Sequence, residues 1–171
     1  KMLVSVGRIT RSKHLDQIIN AFLEFPLDYS LHLVGEARTE EDKAFQASLE
    51  DALVQYGLSH RVHIHPVTQV ELPVILQTAH LFLHASTSGL DKALLEAMAC
   101  ECLVLSSSPA FQDLLPERCR TSVEGFGPAA LKLCALSADS ESQLRRELRG
   151  IIQEKHALPA LIMRLVTEMQ G

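Results

Sequence analysis

The chain lacks most of the features that commonly announce a function. Its 16 lysines and arginines are outnumbered by 21 aspartates and glutamates, giving a formal net charge of −5, and aromatic residues make up only 5%. With no basic stripe and no exposed aromatic series, it offers no surface for DNA or RNA. No apolar run approaches the ~20 residues that cross a bilayer. Gly7 is the only glycine of the first turn, so the G-x-G-x-x-G of dinucleotide binding is absent, and so is the G-x-x-x-x-G-K-[ST] of P-loop enzymes. There is no D-x-D pair to carry a metal-bound diphosphate. Cys100, Cys102, Cys119 and Cys134 lack paired C-x-x-C spacing and stand in apolar contexts. They read as buried, reduced thiols in a cytoplasmic protein. His63 and His65 alternate on one strand and suggest a metal only if His84 joins them; without a companion acid or thiol pattern, the expectation is no metal and no cofactor.

What is present is an alternation. A hydrophobic share of 47% over 171 residues suits one well-buried domain and not two. Apolar runs predict strands at Met2 to Val6, Leu31 to Gly35, Val62 to His65, Leu81 to His84, Cys102 to Leu105 and Cys119 to Ser122, with helices between them. Strands alternating with helices make a parallel sheet, so the expected fold is α/β and Rossmann-like, about six strands with helices on both faces. The tail reads as two helices, Ser140 to Glu154 and Ala157 to Met169, the second with a packing stripe of Leu158, Leu161, Ile162, Leu165 and Val166. The chain opens directly on a core strand with no signal peptide ahead of it, as a domain cut from a longer protein would.

Two constellations carry chemistry. The run from Leu81 to Ser106 reads as strand, polar turn, helix and strand, with Ser88 or Asp91 as helix N-cap and Leu94, Leu95 and Met98 as the core stripe. The helix N-terminus stands beyond the carboxyl end of a strand, where unpaired N–H groups and the helix dipole attract phosphate. Glu96 follows one turn later and leans back toward that terminus. Its two carboxylate oxygens suit the vicinal hydroxyls of a ribose, the alternative being a surface glutamate on an amphipathic helix. The second constellation follows the first strand, where Gly7 leads into Arg8, Arg11, Lys13 and His14 before the helical pattern of Leu15, Ile18, Ile19 and Phe22. In an acidic chain, that knot of cations suits a particular anion such as a diphosphate better than a general polyanion.

Together these residues resemble the nucleotide-sugar-binding, C-terminal half of the family 4 (group 1) retaining glycosyltransferases, which have the two-domain glycosyltransferase B fold. Val6, Gly7, Arg8 and Lys13 match the VGR and following lysine of that family, and Leu33, Val34, Gly35 and Glu36 match its LVGxG-like turn. Arg61 to Pro66 stand for RVxFxG, with Pro66 in place of a glycine beside the base-binding turn. Glu96 to Cys100 reproduce the second half of the E-x7-E signature. The resemblance implies diphosphate-binding, catalytic roles for Arg8 and Lys13. It implies a donor site of Gly7, Gly35, Ser88, Gly89, Leu90, Asp91, Lys92 and Glu96, with Glu96 on the ribose. It also implies one donor-binding domain over 1–171, with the N-terminal acceptor domain of the same protein missing, no metal requirement, and a saccharide or lipid-linked acceptor.

The sequence departs from the family where the first acid belongs, because Ser88 stands eight residues before Glu96. Asp91 or Lys92 is then the candidate for gripping sugar hydroxyls. Glu101 replaces the glycine expected after the helix, at a cost of about 1 kcal/mol if it is held left-handed. A literal EGFG at Glu124 to Gly127 reads as a turn before a helix near Pro128, since no carboxylate helix follows it. Two function classes follow. The first is a glycosyltransferase domain that binds a nucleoside-diphosphate sugar for transfer, with retention of configuration. The second is a non-catalytic nucleotide-binding regulatory or assembly module. The expected location is cytoplasmic, with the full-length protein either free or peripheral to a membrane.

Overall fold

The computed structural model describes residues 1–87, 89 and 91–155. Five strands, β1 (Met2–Val6), β2 (Ser30–Val34), β3 (Val62–His65), β4 (Leu81–His84) and β5 (Val104–Ser106), form one parallel sheet in the order β3-β2-β1-β4-β5. Among the described residues six α-helices accompany them: α1 (Leu15–Phe22), α2 (Glu40–Gln55), α3 (Leu72–Thr78), α4 (Lys92–Ala99), α5 (Phe126–Cys134) and α6 (Ala138–Lys155). Every residue of β4 and β5 is buried, which is why their apolar runs do not alternate. The chain moves outward from β1 through β2 to β3, then returns to the other side of β1 for β4 and β5. Right-handed crossovers therefore place α1 and α2 on one face and α3 and α4 on the other. Packing of α5 against α1 and of α6 against α4 completes the two layers.

The α/β Rossmann-like architecture is the one expected, with one strand fewer among the described residues. The expected strand at Cys119 to Ser122 shrinks to a single parallel bridge between Ser106 and Arg120, closed by the Thr121 N–H donating to the Ser106 carbonyl at 3.0 Å. Pro116 starts a 3-10 turn over Glu117–Cys119 that consumes the residues before the bridge, and the Ser122 hydroxyl after it accepts from the Gly125 N–H at 3.2 Å. Both neighbours are committed to turns, so the ladder cannot lengthen. β5 likewise begins later than expected because Cys102 belongs to the end of α4.

That helix end is a Schellman turn: the Cys102 N–H reaches the Ala97 carbonyl at 2.9 Å and the Glu101 N–H reaches that of Met98 at 3.1 Å. Glu101 takes the left-handed position with φ 58°. A glutamate thus holds the left-handed position where a glycine was expected. Arg145 of α6 donates to the Glu101 carbonyl at 2.7 Å, and Arg149 pairs with the Glu101 carboxylate. Those contacts offset the backbone cost by tying the turn to α6. The expected helix at Ala157 to Met169, with its stripe from Leu158 to Val166, lies outside the described residues.

Arg61, from the RVxFxG-like segment, is structural. It is buried, donates to the carbonyls of Tyr29 and Phe25 at 3.1 Å each, and stacks its guanidinium 4.7 Å from the centre of the Phe22 ring. It holds the turn between α1 and β2.

Candidate functional site

β1 and β4 are neighbours whose connections leave in opposite directions, and a parallel α/β sheet opens a crevice at such a reversal. The segment after β1 and the segment after β4 meet there. The Thr87 N–H donates to the Ser12 carbonyl at 3.2 Å, and the Thr87 hydroxyl lies 3.2 Å from His14 Nε2. Lys13 Nζ forms an ion pair with the Asp91 carboxylate across 78 residues of sequence. Arg11–Lys13 curl into a 3-10 turn that ends at His14, held left-handed at φ 48°, and this turn aims Lys13 at Asp91.

Two glycines permit the close approach. Gly7 has φ 149°, and a methyl group there would meet Lys13 Cε at 2.9 Å. At Gly35 a methyl group would stand 1.8 Å from the Gly7 carbonyl oxygen, so backbone runs against backbone. The Gly7 N–H donates to the Val34 carbonyl at 3.0 Å and the Gly35 N–H to that of His65 at 3.0 Å, carrying the sheet's hydrogen bonding out to the crevice.

Asp91 makes three kinds of contact. Its Oδ1 caps α4 by accepting from the Ala93 N–H at 3.2 Å, and its Oδ2 meets both Lys13 Nζ and, at 3.3 Å, His84 Nε2. Burial alone would push the carboxyl up, but the hydrogen bonds from His84 and Lys13, with the lysine charge, hold it well below the usual carboxylate range. Asp91 is therefore a resident anion beside the lysine.

A cleft of 420 Å³ opens beside this junction, lined by Gly7, Arg8, Gly35, Glu36 and Arg38 and by Val67 to Gln69 after β3. Arg8 is exposed at its edge, and its charge helps to lower the Asp42 carboxyl, which chiefly accepts hydrogen bonds from Thr39. A second groove, beyond β5, is lined by Ser107, Arg120 and the Thr121 to Glu124 turn. The EGFG segment straddles the start of α5: Glu124 lies in a turn, Gly125 is the N-cap, and Phe126 and Gly127 are already helical, so the helix begins two residues before the expected Pro128.

Of the residues singled out by sequence, the crevice brings together Gly7, Lys13, Gly35 and Asp91, with Arg8 alongside. Lys92 and Gly89 are exposed near the start of α4. Glu96 is exposed one turn further along that helix, and among the described residues neither Arg8 nor Glu96 is engaged in a salt bridge. Ser88 and Leu90 lie outside the described residues.

His84 is a residue of the crevice that the sequence did not single out, having stood there only as a third histidine beside His63 and His65 in a metal site that was not expected. Those two face His32 of β2 instead, with His65 Nε2 3.1 Å from His32 Nδ1. Among the described residues no group of three or more histidines, cysteines or acids has the geometry to hold a metal ion. The signal for His84 was a polar residue closing an otherwise apolar, wholly buried strand.

The sequence profile described as "Glycosyl transferases group 1" matches residues 1–135. The chain belongs to the group 1 glycosyltransferases. Solved structures agree with this in fold. HepE of Anabaena, in complex with UDP-glucose, superposes with a TM-score of 0.86 at 17% identity over 99% of this chain and 48% of HepE. The C-terminal domain of the group 1 glycosyltransferase LpcC from Francisella tularensis gives 0.80 at 20% identity over 92% and 86%. Sucrose-phosphate synthase of Thermosynechococcus elongatus gives 0.82 at 21% over 99% and 44%. The chain thus spans about half the length of the HepE chain. No curated protein matches it. The described cysteines are unpaired, Cys102, Cys119 and Cys134 buried and Cys100 half-buried. No helix among the described residues is long and apolar enough to cross a membrane.

Proposed function

We propose that this group 1 glycosyltransferase domain is the donor half of its protein. It binds a nucleoside-diphosphate sugar whose glycosyl group passes, with retention, to a saccharide or lipid-linked acceptor held by an N-terminal domain. The observation that carries this is the convergence of the Gly7–Lys13 segment and the N-terminus of α4 at the reversal between β1 and β4.

The chemistry follows from charge. As the bond from the sugar to the diphosphate breaks, negative charge grows on the leaving oxygen. Arg8, Lys13 and the N–H groups that begin α4 stabilise that charge more than they stabilise the ground state. Gly7 and Gly35, without side chains, let the phosphates approach the backbone; Ser88, Gly89, Leu90 and Lys92 surround the sugar, and Glu96 accepts from the ribose hydroxyls. The base lies in the 420 Å³ cleft beside Val67 to Gln69. HepE in its UDP-glucose complex is a precedent for a uridine donor on this fold. No metal or cofactor enters the step.

Titration calorimetry on the full-length protein with nucleoside diphosphates and their sugar conjugates, followed by product detection, tests this. Binding of a conjugate with transfer to an acceptor is the expected result. Tight nucleotide binding without transfer across a broad acceptor panel assigns the domain to the non-catalytic, regulatory or assembly class, and no binding removes the proposal.

A further inference from the structure

We infer that His84 is a positioning residue of the donor site: it keeps hold of Asp91 so that an incoming diphosphate can take Lys13 away. This rests on the donor-binding role proposed above. In the structure Lys13 already has an anion, Asp91. A diphosphate must compete with Asp91 for it, and the ease of that exchange depends on what else satisfies the carboxylate.

His84 is 3% exposed and buried among apolar neighbours, its ring 5.3 Å edge-on from that of Phe111 and 6.5 Å from that of Phe82. Both of its nitrogens have partners. Nδ1 lies 2.9 Å from the Ser106 hydroxyl and Nε2 lies 3.3 Å from Asp91 Oδ2. The Ser106 oxygen accepts from the Ser108 N–H at 3.1 Å, leaving its own proton free to point at His84 Nδ1. The Asp91 carboxylate can only accept, so His84 Nε2 carries the proton that it donates to Oδ2. A continuous line of hydrogen bonds runs from the Ser108 N–H through Ser106, His84 and Asp91 to Lys13.

When Lys13 turns to phosphate, Asp91 keeps the Ala93 N–H on one oxygen and the His84 N–H on the other, so no bare carboxylate is left partly buried. Without His84, Lys13 would be the main counter-charge to Asp91, and its release to a ligand would be resisted. The consequence is selective. Loss of the His84 donor weakens ligands that need Lys13 and spares those that do not.

The test compares UDP, GDP and ADP, each against its own nucleoside, by calorimetry on the full-length protein. His84→Phe, which preserves the flat ring among Phe82 and Phe111, is expected to weaken the diphosphate that the wild type binds by about tenfold, the loss of one charge-assisted hydrogen bond. It leaves the nucleoside unchanged. His84→Gln, whose side-chain amide returns an N–H at the position of Nε2, restores most of the loss. In an Asp91→Asn background the His84→Phe effect disappears. A measurement that needs no variant is the imidazole nitrogen spectrum of His84, whose Nε2 signal shifts on adding the diphosphate and stays in place with the nucleoside. Equal losses for diphosphate and nucleoside, an unaltered diphosphate affinity in a folded His84→Phe protein, or an Nε2 signal indifferent to the diphosphate each overturn the inference while donor binding stands. A wild type that binds none of the three diphosphates overturns both.

Discussion

Lys13 and Asp91 form an ion pair that fastens the turn after β1 to the N-cap of α4. It makes the crevice a pre-assembled object, because the two segments that frame it are cross-linked by charge before any ligand arrives.

Asp91 has two separable jobs, and substitution divides them. Asp91→Ala removes the cap of α4 and leaves Lys13 unpaired, so urea denaturation is expected to show a loss of about 1–2 kcal/mol. Asp91→Asn retains a capping oxygen and is expected to lose less than half as much. Equal losses in the two variants would show that the ion pair, and not the cap, dominates.

Arg8 and Lys13 differ from Glu96 in what they are expected to recognise. Arg8→Ala and Lys13→Ala should weaken a nucleoside diphosphate about tenfold or more while leaving the nucleoside nearly unchanged, whereas Glu96→Gln should weaken both. Calorimetry with UDP and uridine checks this. Equal losses for the two ligands in the Arg8 variant count against its diphosphate role.

Gly35→Ala is expected to be the most damaging small substitution near the crevice. The added methyl would lie 1.8 Å from the Gly7 carbonyl oxygen, a backbone atom that cannot swing aside. Separating β1 from β2 at their ends should cost about 3 kcal/mol, the upper part of the range for overpacking. A melting temperature close to that of the wild type would refute the close approach.

Acid should loosen the β2–β3 edge. Burial, and then the neighbouring His63 and His65, lower the proton affinity of His32 below its ordinary 6.5, and burial lowers that of His80. The unfolded chain therefore binds protons at a higher pH than the fold does. Stability present above about pH 6.5 is lost as pH falls toward the folded value. Urea midpoints at about pH 7.5 and about pH 5.5 are expected to differ, and to differ less in His32→Gln. An identical drop in that variant would assign the effect elsewhere.

Much of this molecule was legible as pattern. Apolar runs located β1 and β3 and the buried β4, the stripe of Leu15, Ile18, Ile19 and Phe22 located α1, and Asp91 was one of two named caps for α4. The sixth strand was misjudged because Cys119 to Ser122 has strand-like composition while Pro116 and Ser122 impose turns on either side. Glu101 broke a glycine rule without breaking the turn, since its supporting arginines lie on α6, 44 and 48 residues away. Asp91 or Lys92 was the candidate for gripping the sugar hydroxyls, and the ion pair and hydrogen bond of Asp91 were not foreseen. The ion pair of Asp91 with Lys13, 78 residues away, depends on β1 and β4 being neighbours, to which no local pattern is sensitive.

Periodicity, helix-cap chemistry and the spacing of Gly7, Arg8, Lys13 and Glu96 are properties of neighbouring residues, so the amino-acid order alone determined the α/β class, the position of most elements and the family. Tertiary structure decided which cation is already neutralised, which histidine stands behind it and where the sheet stops. The reason is that a partly buried charge takes its energy from whatever the fold brings within a few ångströms of it, and the lysine that meets Asp91 comes from 78 residues away.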